Sequence, residues 1–135
     1  VEPAIRTLCP IIEDEKPFAP GVLGYTDGKT IHVTAGQTTG ARLSVLLHEA
    51  GHALLHFDED RTAATSAELH QTRNGRELEA EAVAFVVGEA VGLDVRDAAR
   101  DYIHLYRGDR DALLKSLDRI QATASTILRA CEPAP

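Results

Sequence analysis

His48 and His52 stand four residues apart, with Glu49 directly after the first, in the run Leu43-Ser44-Val45-Leu46-Leu47-His48-Glu49-Ala50-Gly51-His52-Ala53-Leu54-Leu55-His56. On an α-helix such a pair projects from one face about one turn apart, roughly 6 Å along the axis. Two imidazoles so placed can grip one metal ion from the same side. Glu49 points around the helix from them, where it can reach a water on that metal. This is the H-E-x-x-H arrangement of zinc hydrolases, with the histidines as ligands of Zn2+ and the glutamate as general base. A helix carrying these groups on its polar side by chance is the plainer alternative. Against it, Val45, Leu46, Leu47, Ala53, Leu54 and Leu55 are apolar, so the helix is expected to be largely buried. A buried histidine pair beside a carboxylate is costly unless each group is satisfied, and a metal satisfies all three together. Gly51, unfavourable in a helix interior by about 1 kcal/mol, fits a place where another backbone comes close.

A catalytic zinc takes three protein ligands and keeps a position open for water. A metzincin needs Gly where Leu55 stands and His where Asp58 stands, so that solution fails. His56 shares the face of His48 and His52 but lies about 12 Å from His48 along the axis, too far to join their site. A deformylase-type cysteine ligand is not supported, because Cys9 lies in no matching motif. What is left is a glutamate on a separate helix, and Glu77, Glu79 and Glu81 all stand at the start of the next helical segment. Glu77 and Glu81 share a face, while Glu79 lies roughly 200° around from Glu77. The Glu77 stripe continues into the small residues Ala84 and Gly88, which lets another helix approach. The Glu79 stripe continues into Val83, Val86 and Ala90, which read as core packing elsewhere. Glu77 is therefore the expected third ligand and Glu81 its neighbour, orienting a histidine ring. The bland reading of the same residues is a solvated acidic first turn that suits the helix dipole.

The elements that must position these groups follow from the rest of the chain, read as one domain over 1–135. Residues 1–20 hold four of the six prolines and the acidic run Glu13-Asp14-Glu15, and are expected to be irregular apart from a short helix near Ala4 to Leu8. Residues 21–34 place Asp27-Gly28 between two β-prone runs, a hairpin signal, and two strands alone need helices to pack on. Thr38 or Thr39 can cap the histidine helix, expected over 40–57. The polar stretch 58–75 is either the wall or lid of a cleft or a plain solvent loop. The glutamate helix is expected over 76–92, ended by Gly92. Further helices fill 94–131, one from Asp94 to about Arg107. A last one, capped by Asp109, carries Leu113, Leu114, Leu117, Ile120, Ala124, Ile127 and Leu128 on its apolar side. The fold class is α+β, mainly helical, with a small antiparallel hairpin packed on about four helices.

Composition narrows the function. Hydrophobic content of 44% and charged content of 26% suit a globular domain with a core of its own. No apolar run reaches a membrane span and no secretory signal opens the chain, so a cytoplasmic location is expected. A start at Val1 without any Met reads as a trimmed chain or part of something longer. A formal net charge of −7 argues against binding phosphate backbones, so nucleic acid is not an expected partner. Cys9 and Cys131 lack zinc-motif spacing and read as free thiols.

The segments His48-Glu49-Ala50-Gly51-His52-Ala53-Leu54-Leu55-His56 and Glu77-Leu78-Glu79-Ala80-Glu81-Ala82-Val83-Ala84 together resemble the ImmA/IrrE family of metallopeptidases. They resemble in particular the branch found with ArdC-type antirestriction proteins, and Gly92-Leu93-Asp94, Tyr102-Ile103 and Gly108-Asp109 add to that resemblance. That family pairs its H-E-x-x-H helix with a Glu-x-x-Ala-Asn/Asp-x-Phe-Ala helix whose leading glutamate is the third ligand. Laid on this chain, the leading position is Glu77, with Glu81 at the Asn/Asp position and Val83 at the Phe. A register two residues later makes Glu79 the alternative metal ligand. The resemblance implies a zincin-like, gluzincin fold and cleavage of a protein target, often a transcriptional repressor of the helix-turn-helix kind. In that reading Glu49 takes the proton of the attacking water and passes it to the leaving amine. Tyr25, His70, Tyr102, His104 and Tyr106 are candidates to help at the oxyanion, and the hairpin could take the substrate as an added strand. The rival is a non-proteolytic antirestriction or regulatory binding module that keeps the metal fold, for which the negative charge is suited and the intact Glu49 is superfluous. A structural zinc domain would want four closed protein ligands, which the sequence does not offer.

Overall fold

A computed structural model of the chain describes residues 1–56, 73–92 and 110–132. They form α1 (Glu2–Leu8), β1 (Ile11–Asp14), β2 (Gly24–Thr26), β3 (Ile31–Thr34), α2 (Thr39–Leu55), α3 (Arg73–Val91) and α4 (Arg110–Ala130). The architecture is α+β and mainly helical, with one small sheet in the order β1-β3-β2. The expected helix from Asp94 to about Arg107, the stretch 58–72, and the candidates His70, Tyr102, His104 and Tyr106 lie outside the described residues.

The hairpin forms at the Asp27-Gly28 signal. Asp27 Oδ1 accepts from the backbone N–H of Lys29 and Thr30 at 2.8 and 2.9 Å, and Gly28 takes φ +93°, which a side chain would disfavour. β2 and β3 pair antiparallel with Tyr25 opposite His32. Alternation along β3 buries Ile31 and Val33 against the helices and leaves His32 and Thr34 half-buried on the outer face.

The lead-in differs from its expected irregularity. After α1, residues Ile11–Asp14 add a third strand, parallel to β3, with Ile11 opposite Ile31. The sheet is therefore mixed, an antiparallel hairpin with a parallel neighbour. The pairing is between segments distant in sequence, and Ile12 and Glu13 are both exposed, so no period-two pattern announced it.

Behind the sheet, α2 packs against α3 and α4 around Leu46, Leu47, Ala50, Val83, Val87, Ile120 and Ile127, all nearly or fully buried. On α3 the buried stripe is Ala80, Val83, Ala84 and Val87, at the spacing of one helix face. Val86 and Ala90, expected in the core, are exposed, because they lie to one side of that stripe. On α4, Leu114 and Leu117 are exposed and Ser116 is fully buried in the row with Ile120, Thr123 and Ile127. Gly92 follows α3 with φ +91°, the left-handed C′ position that favours glycine. Cys9 and Cys131 are free thiols. No described helix is long and apolar enough to cross a membrane.

Candidate metal centre

α2 starts at Thr38, whose hydroxyl accepts from the N–H of Ala41 at 3.2 Å. From that cap the helix runs unbroken through His48, Glu49, His52 and Leu55. Its close approach to α3 depends on Gly51. A Cβ there would lie 3.2 Å from the Cα of Ala80, 3.3 Å from the Ala80 carbonyl oxygen and 3.3 Å from the Cβ of Val83. The missing side chain thus lets two backbones meet, and Glu77 and Glu81 on α3 reach the histidines.

His48 Nε2 lies 3.1 Å from His52 Nε2 and 3.2 Å from Glu77 Oε2, and His52 Nε2 lies 3.2 Å from Glu77 Oε1. Atoms held about 2.0–2.1 Å from one ion at tetrahedral angles are roughly 3.3 Å apart. The observed separations are of that order, with Glu77 meeting His48 through Oε2 and His52 through Oε1, so the donor atoms of the three residues draw together. Two imidazoles and one carboxylate are also a donor set of catalytic zinc sites, which leave the fourth position open. Among the described residues, His48, His52 and Glu77 are the group of this kind whose donor atoms converge. The residues therefore fit a zinc ion.

The surrounding charges point the same way. Burial acts against charge on His48, but hydrogen bonds to Glu77 and Glu81 and the nearby carboxylate charges outweigh it and push its pKa up to about 10. Hydrogen bonds from His48 and His52 hold the Glu77 carboxyl well below the usual carboxylate range, and His48 does the same, less strongly, for Glu81. Glu81 Oε1 sits against His48 Nδ1, the ring nitrogen turned away from the convergence point. A cation is strongly favoured here.

Glu49 is buried, and burial pushes its carboxyl up despite the two histidines beside it. Gly24 in β2 lets the strand lie close to α2 at Val45, next to Glu49. A Cβ at Gly24 would run into the side chain of Val45, would stand 3.0 Å from the His32 carbonyl oxygen and would lie 3.5 Å from Glu49 Cγ. A glycine inside a strand is the sequence sign of such an approach. Tyr25 is next in β2, and its ring stacks on His32 at 4.4 Å and meets Phe18 at 4.7 Å with the two planes tilted by 42°. Tyr25 also lines the open space over His48, Glu49 and His52.

Glu79, the alternative ligand, is placed differently from Glu77. Its carboxylate is fully buried, with Oε1 3.2 Å from His56 Nε2 and Oε2 accepting from Ser116 Oγ at 2.5 Å and Arg119 Nη2 at 2.9 Å. Glu79 therefore faces α4, as its 200° offset from Glu77 requires. His56 does not reach the convergence point either, but its Nδ1 lies 2.8 Å from His52 Nδ1. Sequence reasoning missed Ser116 and Arg119 altogether.

A cleft of about 740 Å³ opens over the histidines. Phe18, Val22, Leu23 and β2 line one side, and His48, Glu49 and His52 line the floor; Arg73, Arg76, Glu77 and Glu81 line the other side.

With this geometry in hand, comparison with known proteins adds a family. A family model described as Peptidase_M78, IrrE N-terminal-like domain, matches residues 12–117. No curated protein and no solved structure matches the chain. The matched span includes both histidines, Glu49 and all three candidate glutamates, and the chain belongs to this family, the ImmA/IrrE metallopeptidases.

Proposed function

We propose that this member of the IrrE N-terminal-like family is a zinc-dependent endopeptidase acting on a protein target, with a helix-turn-helix transcriptional repressor as the favoured target class. The family supports a peptidase that uses a metal; zinc, the residue roles and the target are the proposal. The observation that carries it is the convergence of His48 Nε2 and His52 Nε2, 3.1 Å apart, on the Glu77 carboxylate, whose Oε2 and Oε1 lie 3.2 Å from one nitrogen each. These three residues would hold the ion. When bound, zinc supplies Lewis acidity, which makes a water a usable nucleophile near neutral pH and polarises a carbonyl.

The chain's own residues do the rest. Glu81 Oε1 sits against His48 Nδ1, where it would hold that ring with Nε2 toward the ion. Glu49 is the proton carrier: its carboxylate takes a proton from the attacking water and returns it to the leaving amine. Burial raises its affinity for that proton, which suits a group that must both take and give. β2 is an outer strand of the sheet and lines the cleft. An extended substrate segment pairing with its main chain would lie across Glu49 and the histidines. A regulatory target goes with action in the cytoplasm. A module that worked by contact alone would have no use for a carboxylate buried beside the histidines.

The test is incubation of the zinc-loaded protein with helix-turn-helix repressors, reading cleavage by mass spectrometry. Glu49→Gln should keep its zinc and lose cleavage on the order of 10²–10⁴-fold. Undiminished cleavage by that variant would remove Glu49 from the mechanism.

A further inference from the structure

His52 is linked to α4 by a continuous buried chain of hydrogen bonds. His52 Nδ1 lies 2.8 Å from His56 Nδ1, His56 Nε2 lies 3.2 Å from Glu79 Oε1, and Glu79 Oε2 accepts from Ser116 Oγ at 2.5 Å and Arg119 Nη2 at 2.9 Å. His56 is 1% exposed, and Glu79 and Ser116 are 0% exposed. Nothing in the packing of a helical core calls for a histidine, a carboxylate and a hydroxyl at these points. Each buried polar group must find a partner, and these find one another in a line that ends on the proposed ligand.

The line has one consistent direction. A His52 ring that offers Nε2 to an ion must carry its proton on Nδ1 and donate it. The acceptor is His56 Nδ1, which leaves the proton of His56 on Nε2, donated to Glu79. Glu79 is the acceptor at the end, held by a hydroxyl and a guanidinium on the same face of α4, three residues apart. Reversing any link would bring two donors or two acceptors face to face.

We infer that His56 and Glu79 are positioning residues for the metal centre: with Ser116 and Arg119 they lock the tautomer and tilt of His52 and strengthen it as a ligand. His48 receives the corresponding support directly from Glu81. The two histidines are thus braced by different helices, one from α3 at the site itself and one from α4 through a relay. The inference rests on the zinc reading above and adds α4 to that site.

The test is zinc affinity, measured by competition with a chelator, together with the visible spectrum of the cobalt-substituted protein. His56→Phe keeps the ring shape and removes both nitrogens. It should weaken zinc binding about 10–100-fold and shift the cobalt bands. His56→Gln can still accept from His52 and donate to Glu79, so it should recover most of the affinity. Ser116→Ala, the gentler change, should weaken zinc binding several-fold at unchanged stoichiometry and serves as the decisive variant if His56→Phe does not fold. Wild-type affinity and an unaltered cobalt spectrum in folded His56→Phe, or in Ser116→Ala, would overturn the inference while leaving the zinc site intact. Failure of the wild-type protein itself to bind zinc would remove the site, and the relay's role with it.

Discussion

Gly51→Ala sets two known effects against each other at the helix crossing that assembles the site. Alanine is favoured over glycine in a helix interior by about 1 kcal/mol. The new methyl, however, would stand 3.2 Å from the Ala80 Cα, 3.3 Å from the Ala80 oxygen and 3.3 Å from the Val83 Cβ. Comfortable carbon contacts are about 3.5–4.0 Å. Two of the three neighbours are backbone atoms of α3 and cannot rotate aside, so the helix itself must retreat. Overpacking of this kind costs about 1–3 kcal/mol, and backbone neighbours place it near the middle or above. The net expectation is a loss of about 1 kcal/mol, or a melting temperature lower by about 4 °C. Glu77 stands one turn before Ala80 on the retreating helix, so its oxygens move away from His48 and His52. Zinc affinity should fall by about tenfold, the low end of what disturbed ligand support costs. Gly51→Val should be worse on both counts. Denaturant unfolding of the metal-free protein and chelator competition for zinc read the two effects separately. A Gly51→Ala protein that is stabilised by about 1 kcal/mol and binds zinc like the wild type would refute the reasoning.

Other outcomes follow from the same geometry. Because the His48 pKa lies near 10, its imidazole is protonated at neutral pH in the metal-free protein and must lose that proton to bind zinc. Zinc binding at pH 7.5 should release about one proton from this site, read as a difference in calorimetric heat between buffers of unlike ionisation enthalpy. Affinity should then rise with pH up to about 10. In the metal-free protein the same shift has the opposite consequence for folding. The stability His48 contributes is fully present below its ordinary value of 6.5 and is lost as pH rises through about 10, which unfolding curves at several pH values would show. Gly24→Ala pushes a methyl into Val45 and against the His32 carbonyl oxygen, and Val45 can give way only by shifting α2 beside Glu49. It should cost about 1–3 kcal/mol and slow cleavage more than it weakens zinc binding; equal losses in both would place the effect on the ligands rather than on Glu49.

What was legible in the sequence was local. The spacing of His48 and His52 and the position of Glu49 need only one helix turn to be interpreted. The i,i+4 relation of Glu77 and Glu81 separates them from Glu79 by helix rotation alone, and a glycine at position 51 inside an apolar helix signals a close helix crossing. The parts that were not legible depend on where distant segments meet. β1 exists because β3 offers it a parallel partner, Ile11 beside Ile31, and its own four residues carry no alternation. The apolar count on α4 favoured Leu114 and Leu117, yet the crossing with α3 buries Ser116 instead. That inversion is understandable only once Glu79 is seen to need a donor there. Helical rotation gave the direction of Glu79 but not its partners, because no rule of spacing links positions 56, 79, 116 and 119.

Metal content of the wild-type protein and of Glu77→Ala, measured by mass spectrometry after dialysis against trace zinc, probes the site most directly. Two histidines on one helix and a carboxylate from another should retain about one zinc per chain, and the variant, left with two ligands, should retain almost none while remaining folded. A folded Glu77→Ala protein that still holds a full equivalent of zinc would contradict the assignment of the third ligand, and with it the proposed centre.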